Sequence, residues 1–227
     1  MSYIFKLGNT NDFPPASQAS EEGLLAFGGD LKPERLLRAY REGIFPWFEE
    51  GQPYLWWSPD PRLVLFPDNV RISKSMRKVI RDQKFDIKFD HDFKKVIQNC
   101  AVTGRKEQDG TWITNEMIEA YTSLHALGYA HSVEAYEGAK LVGGLYGIAI
   151  GKVFFGESMF HHRSNASKVA FIELCRFLLE NDFQLIDAQQ DTSHLRSFGA
   201  QTIRREMFLD YLEKWVNLPS LTGKWSK

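Results

Sequence analysis

Few features in this sequence are typical of secreted or membrane-bound proteins. It contains only two cysteines, Cys100 and Cys175, and neither belongs to a C-x-x-C pair, so we expect both to be buried free thiols. No apolar run approaches the length of a membrane span, and the first fifteen residues lack the apolar core of a signal peptide. We therefore expect a cytoplasmic protein with no membrane partner.

The usual signatures of cofactor and metal sites are also absent or incomplete. The four glycines within residues 143–151 resemble a dinucleotide fingerprint, but they lead into another predicted strand instead of a helix N-terminus. His161 and His162 are adjacent on a predicted strand and point to opposite faces, which argues against a zinc site with Glu157. We expect no metal and no cofactor.

Charge is nearly balanced over the whole chain but uneven along it. The net charge is −1, yet Arg71–Lys84 holds six basic residues and one acid, a local charge of +5 that leaves −6 elsewhere. Lys74, Arg77, Lys78 and Arg81 recur at helical spacing and form one basic face. A solvated helix face is one interpretation; a surface for a phosphate backbone is the other.

The first 62 residues differ in character from the remainder. A helix is predicted to begin near Pro33 and to end at Gly43. Residues 45–62 contain three tryptophans and four prolines, which predicts a constrained loop without long regular elements. We place a domain boundary near Arg62, giving a small N-terminal domain (1–62) and a second domain (63–227).

Beyond residue 62, strand and helix patterns alternate. Predicted strands cover Leu63–Phe66, Phe85–Phe89, His131–Tyr136, Lys140–Ile150, Val153–Phe160 and Phe183–Ala188. Predicted helices cover Ser73–Ile80, Asp92–Cys100, a segment capped by Thr114 and ended by Gly128, Asn165–Asn181 and a last amphipathic helix around Met207–Trp215. The pattern predicts an α+β protein with a central mixed sheet.

A lone carboxylate in an apolar stretch is the strongest sign of a site. Glu157 lies within an apolar strand, and Asp187 and Gln189 follow on a short strand beyond the apolar helix. Because buried charges are costly unless partnered, these residues are expected to form a site. The alternative is an edge strand with Glu157 in water. The spacing of Asp187 and Gln189 predicts that both point to one face, so that the Gln189 amide donates to Asp187.

The start of the long apolar helix could also bind a ligand. Residues 164–168 resemble an N-cap followed by a first turn, whose free N–H groups and Lys168 could hold an anion. A well-capped helix without any ligand explains the pattern equally well.

The order strand, strand, helix, strand, helix is similar to the core of the acyltransferase fold of N-acetyltransferases. Those enzymes bind the coenzyme A pyrophosphate through a glycine-containing loop before the helix. The corresponding stretch here, HHRSNASK, has no glycine, which argues against acetyl-coenzyme A as the acyl donor.

Several longer motifs narrow the interpretation. From Gly23 to Trp215 the chain resembles the leucyl/phenylalanyl-tRNA–protein transferases in the segments GLLAFGGDL, REGIFPWF, WWSPDPR, GTWIT, LVGGLYG, GESMFHHRSNASK and DAQQDTSHLRSFGA. The resemblance implies transfer of Leu or Phe, with Met as a further donor, from aminoacyl-tRNA to proteins with N-terminal Arg or Lys, marking them for N-end-rule degradation. It also implies an acyltransferase-like C-terminal domain and a reaction without ATP or metal.

The resemblance assigns roles residue by residue. It implies that Asp187 and Gln189 are the catalytic pair and that Glu157 binds the acceptor. Trp47 and Trp112 would hold the 3′ adenosine of the tRNA. The pocket for the donor side chain would be lined by Leu145, Phe154, Phe171, Leu174, Leu178 and Ile186. The basic face would contact tRNA phosphates through Lys74, Arg77, Lys78 and Arg81.

Two other functions stay open at this point. One is a coenzyme A-dependent N-acetyltransferase, which would acetylate amines without RNA. The other is a non-catalytic reader of basic protein N-termini or of tRNA, which would bind without forming a peptide bond. For the favoured function we expect a monomer that meets aminoacyl-tRNA and acceptor proteins in the cytoplasm.

Overall fold

The chain folds around two β-sheets in a computed structural model that describes residues 3–103 and 112–226. The strands of the smaller sheet are β1 (Phe5–Leu7), β2 (Leu24–Gly28), β3 (Phe45–Pro46) and β4 (Leu55–Trp57). They lie in the order β1-β2-β4-β3. Two of them occupy the segment for which a loop was predicted, since the prolines there permit strands of only two and three residues.

The larger sheet has seven strands in the order β11-β5-β10-β9-β8-β7-β6. They are β5 (Arg62–Leu65), β6 (Asp86–Phe89), β7 (Ala130–Glu137), β8 (Lys140–Ile150), β9 (Val153–His161), β10 (Leu185–Gln189) and β11 (Gln201–Ile203). β9 and β10 pair in parallel, while the other neighbours in this sheet pair antiparallel. The predicted α+β class with a central mixed sheet is therefore confirmed.

The helices lie between and beside these strands. They are α1 (Pro33–Arg41), α2 (Lys74–Arg81), α3 (Phe93–Val102), α4 (Asn115–Ala126), α5 (Ala166–Glu180), α6 (Ser193–Arg196) and α7 (Arg205–Trp215), with short 3-10 turns at Ala16–Gln18 and Pro67–Asn69. None of the helices in the described ranges has the length and apolarity required to cross a membrane.

Helix α5 makes the crossover that the parallel pairing of β9 with β10 requires. Its residues are buried on most sides, as its apolar sequence predicted. The strand, strand, helix, strand order of β8, β9, α5 and β10 is the one on which the acyltransferase resemblance rests. Cys100 and Cys175 are buried free thiols, as predicted.

One hydrophobic cluster joins the small sheet to the larger one. It contains Tyr40 and Trp56 from the first part of the chain and Tyr121 and Phe155 from the second. Along the chain, the last strand of the smaller sheet ends at Trp57 and the first strand of the larger sheet begins at Arg62. The domain boundary near Arg62 remains a prediction, and the shared cluster makes the two parts one packed body.

The end of the described chain packs into a second hydrophobic cluster, which includes Phe154 and Phe177. Trp225 is 3% exposed, and its ring stacks on His131 with 3.7 Å between ring centroids. Its backbone N–H donates to Asp90 Oδ2 over 2.8 Å. The residues beyond α7 thus cover one face of β7.

Candidate functional site

A cleft of about 800 Å³ opens beside β9 and β10. Its walls come from the first part of the chain, from both of these strands and from the buried face of α5. Among the residues that line it are Glu157, Asp187, Gln189, Trp47 and Trp112. The structure thus brings the predicted catalytic, acceptor and adenosine-binding residues to a single cavity.

Glu157 lies in the interior of the larger sheet, because β9 is paired on both sides. It is 8% exposed, so the alternative of an edge strand with Glu157 in water is wrong. Its carboxylate accepts three hydrogen bonds: from Tyr40 Oη to Oε1 over 2.7 Å, from Gln189 Nε2 to Oε1 over 2.8 Å, and from Tyr121 Oη to Oε2 over 3.1 Å. The Tyr40 and Tyr121 hydroxyls are also within hydrogen-bond distance of each other. Since each has a single proton, a hydroxyl that donates to the other does not donate to the ionised carboxylate at the same time.

These surroundings change the acidity of the cluster. Burial raises the pKa of Glu157 from 4.5 to about 7, and the donors Tyr40, Tyr121 and Gln189 oppose that rise. Burial and the nearby Glu157 raise the pKa values of Tyr40 and Tyr121 well above 10. Both tyrosines therefore stay protonated and donate, while Glu157 exchanges a proton near neutral pH.

Strand β10 is irregular where the catalytic pair was predicted. Its register against β5 shifts between Asp187 and Gln189, and Gln189 adopts a left-handed conformation with φ +59°. The expectation that the Gln189 amide donates to Asp187 is wrong: the amide donates to Glu157, and the Gln189 backbone N–H donates to Asp187 Oδ1 over 2.9 Å. The bulge breaks the alternation on which the expectation depended.

Asp187 is fully buried and forms a salt bridge with Arg62. Arg62 Nε donates to Oδ1 over 2.8 Å, and Nη2 donates to Oδ2 over 2.7 Å. The guanidinium lies between the rings of Phe45 and Phe208, with its Cζ 4.8 and 4.6 Å from their centroids. Asp187 thus fixes the backbone of Gln189 and balances a buried cation.

The two tryptophans on the cleft wall are partly accessible. Trp47 and Trp112 are both half-buried and pack against the first hydrophobic cluster. Trp57 fixes the Trp47 segment, because its Nε1 donates to the Trp47 carbonyl over 2.7 Å. Two residues of the GTWIT motif, Gly110 and Thr111, lie outside the described residues.

The predicted donor pocket is the apolar part of the same cleft. Five of the six predicted side chains line it: Leu145, Phe154, Phe171, Leu174 and Ile186. Leu178, one turn beyond Leu174 on α5, is fully buried in the apolar cluster beneath the cleft and does not line its wall. Leu178 therefore packs beneath the pocket and supports the residues that form its wall.

The predicted basic face lies outside the cleft, on helix α2. Ser73 caps this helix by accepting from the Met76 backbone N–H over 3.2 Å, and Met76 is buried against the core. The four basic side chains are exposed, and none makes an ion pair within the described part of the chain: Lys74, Arg77, Lys78 and Arg81.

Three residues at the centre of the site did not stand out in the sequence. Tyr40 and Tyr121 lie on α1 and α4, and Arg62 begins β5. Arg62 does belong to the WWSPDPR motif, but no local pattern pairs it with Asp187.

No candidate metal site is found among the described residues. Within residues 3–103 and 112–226 there is no cluster of three His, Cys, Asp or Glu side chains suited to a metal ion.

Two protein-family models match the chain. The model described as leucyl/phenylalanyl-tRNA protein transferase covers residues 64–213, and the model of the N-terminal domain of that transferase covers residues 29–60. A leucyl/phenylalanyl-tRNA–protein transferase of Syntrophus aciditrophicus is 54% identical over 223 residues, covering 98% of this chain and 93% of that protein. The one from Ectopseudomonas mendocina is 58% identical over 210 residues, covering 92% of each.

Similar solved structures are far less close in sequence. An aminoglycoside acetyltransferase from an uncultured soil metagenomic sample, solved with trehalose, has 17% identity and a TM-score of 0.38, covering 59% of this chain and 88% of its own. L-PGS from Bacillus licheniformis has 10% identity and a TM-score of 0.40, covering 74% of this chain and 53% of its own.

Proposed function

Because the chain belongs to the leucyl/phenylalanyl-tRNA–protein transferase family, it transfers Leu or Phe from aminoacyl-tRNA to protein N-termini, and we propose that it does so in the cleft beside β9 and β10. The observation that carries this proposal is the buried carboxyl of Glu157 with its three donors, at the wall of an apolar cavity that also includes two accessible tryptophans.

The donor end of the tRNA fits the apolar side of the cleft. Trp47 and Trp112 stack on the 3′ adenine, each contact contributing about 1–3 kcal/mol. The Leu or Phe side chain, or that of Met, enters the pocket beneath, which is formed by Leu145, Phe154, Phe171, Leu174 and Ile186. An ester joins the amino acid to the ribose, so the acyl group is already activated and no ATP is required.

The acceptor amine approaches the carboxyl of Glu157. The acceptor carries an N-terminal Arg or Lys, whose positive charge favours the ionised form of Glu157. Since the pKa of Glu157 is about 7, its carboxylate can take a proton from the α-ammonium group at neutral pH. Tyr40 and Tyr121 hold that carboxylate in place.

Gln189 directs the attack. Its Nε2 donates to Glu157, which leaves its amide oxygen able to accept a hydrogen bond from the attacking amine. The nitrogen, now a neutral amine, forms a bond to the ester carbonyl carbon, and the bond to the ribose oxygen breaks. A second proton passes from the nitrogen to that ribose oxygen, and Glu157 releases the first proton to water. Asp187 contributes by holding the Gln189 backbone, a positioning role.

Other parts of the proposal concern partners. The basic face of α2 contacts tRNA phosphates, which orients the RNA without reading its sequence. One chain supplies all three donors to Glu157, so the proposed site requires no second copy, and we propose that the enzyme acts as a monomer. It works in the cytoplasm, where charged tRNA is found, and the modified proteins enter N-end-rule degradation.

The function is tested with radiolabelled Phe-tRNA and a peptide that begins with Arg. We expect label in the peptide, loss of transfer after RNase treatment of the donor, and a strongly reduced rate in Gln189→Ala. The exposed Gln184, just before β10 and hydrogen-bonded to the Asp182 carbonyl, supplies the matched control Gln184→Ala.

Two results would contradict the proposal. Tight binding of tRNA and peptide without a new peptide bond would indicate a non-catalytic reader. Acetylation of the peptide from acetyl-coenzyme A, without any dependence on RNA, would indicate an N-acetyltransferase.

A further inference from the structure

The first turn of α5 forms a part of the cleft wall that the transfer step does not use. Ser167 is the second residue of this helix; it lines the cleft and is only 4% exposed. Its hydroxyl has no hydrogen-bond partner among the residues that the structure describes. A hydroxyl that lines a cavity and has no protein partner is free to donate to, or accept from, a polar ligand.

The backbone of the same turn also presents unused donors. Asn165, at the N-cap, is left-handed with φ 72° and gives no side-chain cap. The N–H of Ala166 donates to the Arg163 carbonyl, and that of Val169 to the Asn165 carbonyl. Within residues 3–103 and 112–226, the N–H groups of Ser167 and Lys168 have no backbone partner, so they remain available to an anion.

The turn is held closely against the sheet. A Cβ at Gly143 on β8 would lie 2.6 Å from the Ala166 Cβ and 2.9 Å from the Ser167 backbone nitrogen. Only glycine allows this approach, and it fixes the donors relative to the strand that pairs with β9. The turn is therefore a rigid part of the cleft.

Imidazole nitrogens that can donate hydrogen bonds lie at this position. His161 and His194 line the cleft beside the turn. Burial lowers the pKa of His194, and the nearby charges of Lys168 and His161 lower it further, so the three groups lie within electrostatic range of one another. His194 Nε2 is buried and has no partner among the described residues.

The acidic groups near this turn are already engaged. Asp191, three residues before His194, accepts two hydrogen bonds from Arg196, over 2.6 and 2.5 Å. Glu157 and Asp187, the carboxylates on the cleft wall, are held by their own donors. The carboxylates of Asp187 and Asp191 are each paired with an arginine, which reduces their repulsion of an anion at the turn.

We propose that the first turn of α5, together with His161 and His194, is a subsite for one phosphodiester of the bound RNA, the group on the 5′ side of the terminal adenosine. This inference rests on the proposed function. Within a cleft that holds the adenosine and its ester, that phosphodiester is the anion covalently nearest to them. A single phosphodiester needs fewer donors than a pyrophosphate, so the turn can hold it without a glycine-rich loop.

Two minimal donors test the subsite. One is adenosine carrying a phenylalanyl ester on its ribose; the other is the same compound with a methyl phosphodiester at the 5′ position. We expect the wild type to use the phosphorylated donor with a kcat/KM about tenfold higher, mainly through a lower KM. Equal use of the two donors would overturn the subsite while leaving the transfer function intact.

Variants assign the preference to the turn. In Ser167→Ala and in Lys168→Gln, the ratio between the two donors should fall toward one. Ser167→Asp should invert the ratio, and a helix N-terminus tolerates this substitution. The exposed Ser164, three residues earlier, supplies the matched control: Ser164→Ala should keep the wild-type ratio.

The remaining outcomes are equally decisive. A preference that survives in all three variants of Ser167 and Lys168 would show that the phosphate binds elsewhere. No transfer from either donor, together with none from Phe-tRNA, would contradict the proposed function itself.

Discussion

Arg62 binds Asp187 through two parallel hydrogen bonds inside the protein, Nε to Oδ1 over 2.8 Å and Nη2 to Oδ2 over 2.7 Å. Both side chains are shielded from water, with 1% and 0% of their surfaces exposed. Removing one partner of such a pair leaves an uncompensated buried charge, which costs more than the pair contributes. Asp187 therefore has a structural role. A test of its catalytic role must distinguish a loss of stability from a loss of activity.

Asp187→Asn should destabilise the protein by about 3–5 kcal/mol, because Arg62 loses its counter-charge. Chemical denaturation measures this change. As a control, Asp191→Asn removes one partner of the exposed pair with Arg196 and should cost under about 1 kcal/mol. A change at Asp187 as small as that at Asp191 would contradict the interpretation.

The double variant Arg62→Met/Asp187→Leu separates stability from chemistry. It removes both charges, so it should be more stable than Asp187→Asn. Its transfer rate should remain low, because the Gln189 backbone loses its acceptor. Wild-type kcat in this folded variant would show that Asp187 does not position Gln189.

Glu157→Gln should change the pH dependence of transfer. In the wild type, the rate should rise with pH through about 7 as the carboxylate becomes able to accept a proton. Above that range the variant should be slower by about 10²–10⁴-fold, the usual contribution of a general base. Initial rates with an Arg-initiated peptide measure the effect. The peptide amine titrates in the same way in both pH profiles, so the difference between the two profiles reports on residue 157. An unchanged profile would exclude Glu157 as the proton acceptor.

The same residue should make stability fall with rising pH. The pKa of Glu157 is higher in the folded chain, about 7, than the ordinary value of 4.5, so the folded state binds more protons between these values. Its contribution is fully present below pH 4.5 and is lost as pH rises through 7. The loss amounts to about 3 kcal/mol, at about 1.4 kcal/mol per pKa unit.

Urea denaturation of the wild type and of Glu157→Gln, at pH 5 and pH 8, measures this difference. Other titrating groups affect both proteins equally and cancel. The wild type should lose stability relative to the variant between the two pH values. Parallel stability curves would contradict a raised pKa.

Charge reversal on α2 tests the RNA surface. Arg77→Glu/Arg81→Glu should weaken tRNA binding and reduce the slope of log affinity against log salt by about one unit for each phosphate that the variant no longer binds. Lys94→Glu/Lys140→Glu, two exposed sites on other elements, provides a control with the same net charge. Equal slopes in both double variants would remove α2 from the interface.

The local parts of the fold could be predicted from the sequence. β8 has the predicted bounds, and Thr114 caps α4 as expected, because alternation and capping are properties of neighbouring residues. The short strands of the small sheet were not predicted, since strands of two to five residues carry too little periodicity to be recognised.

The site was predictable only in part for the same physical reason. Glu157 was identified because a charge within an apolar strand requires a partner. Its donor Tyr40 lies 117 residues away, and the pair of Arg62 and Asp187 is 125 residues apart, so folding alone brings them together. The bulge before Gln189 was hidden as well, because a left-handed residue other than glycine leaves no sequence signal.

Tyr40 comes from the small N-terminal part, whereas the carboxyl to which it donates lies on the central sheet. A chain reduced to the residues after 62 would keep the strand that bears Glu157 but lose one of its two phenols, along with Arg62, the partner of Asp187. The pKa of Glu157 would then no longer lie at about 7, where the carboxyl can exchange a proton at neutral pH. The first sixty residues therefore contribute to the acid–base chemistry of the site. Grafting only the larger part onto another scaffold would transfer the fold of the central sheet without the activity of Glu157.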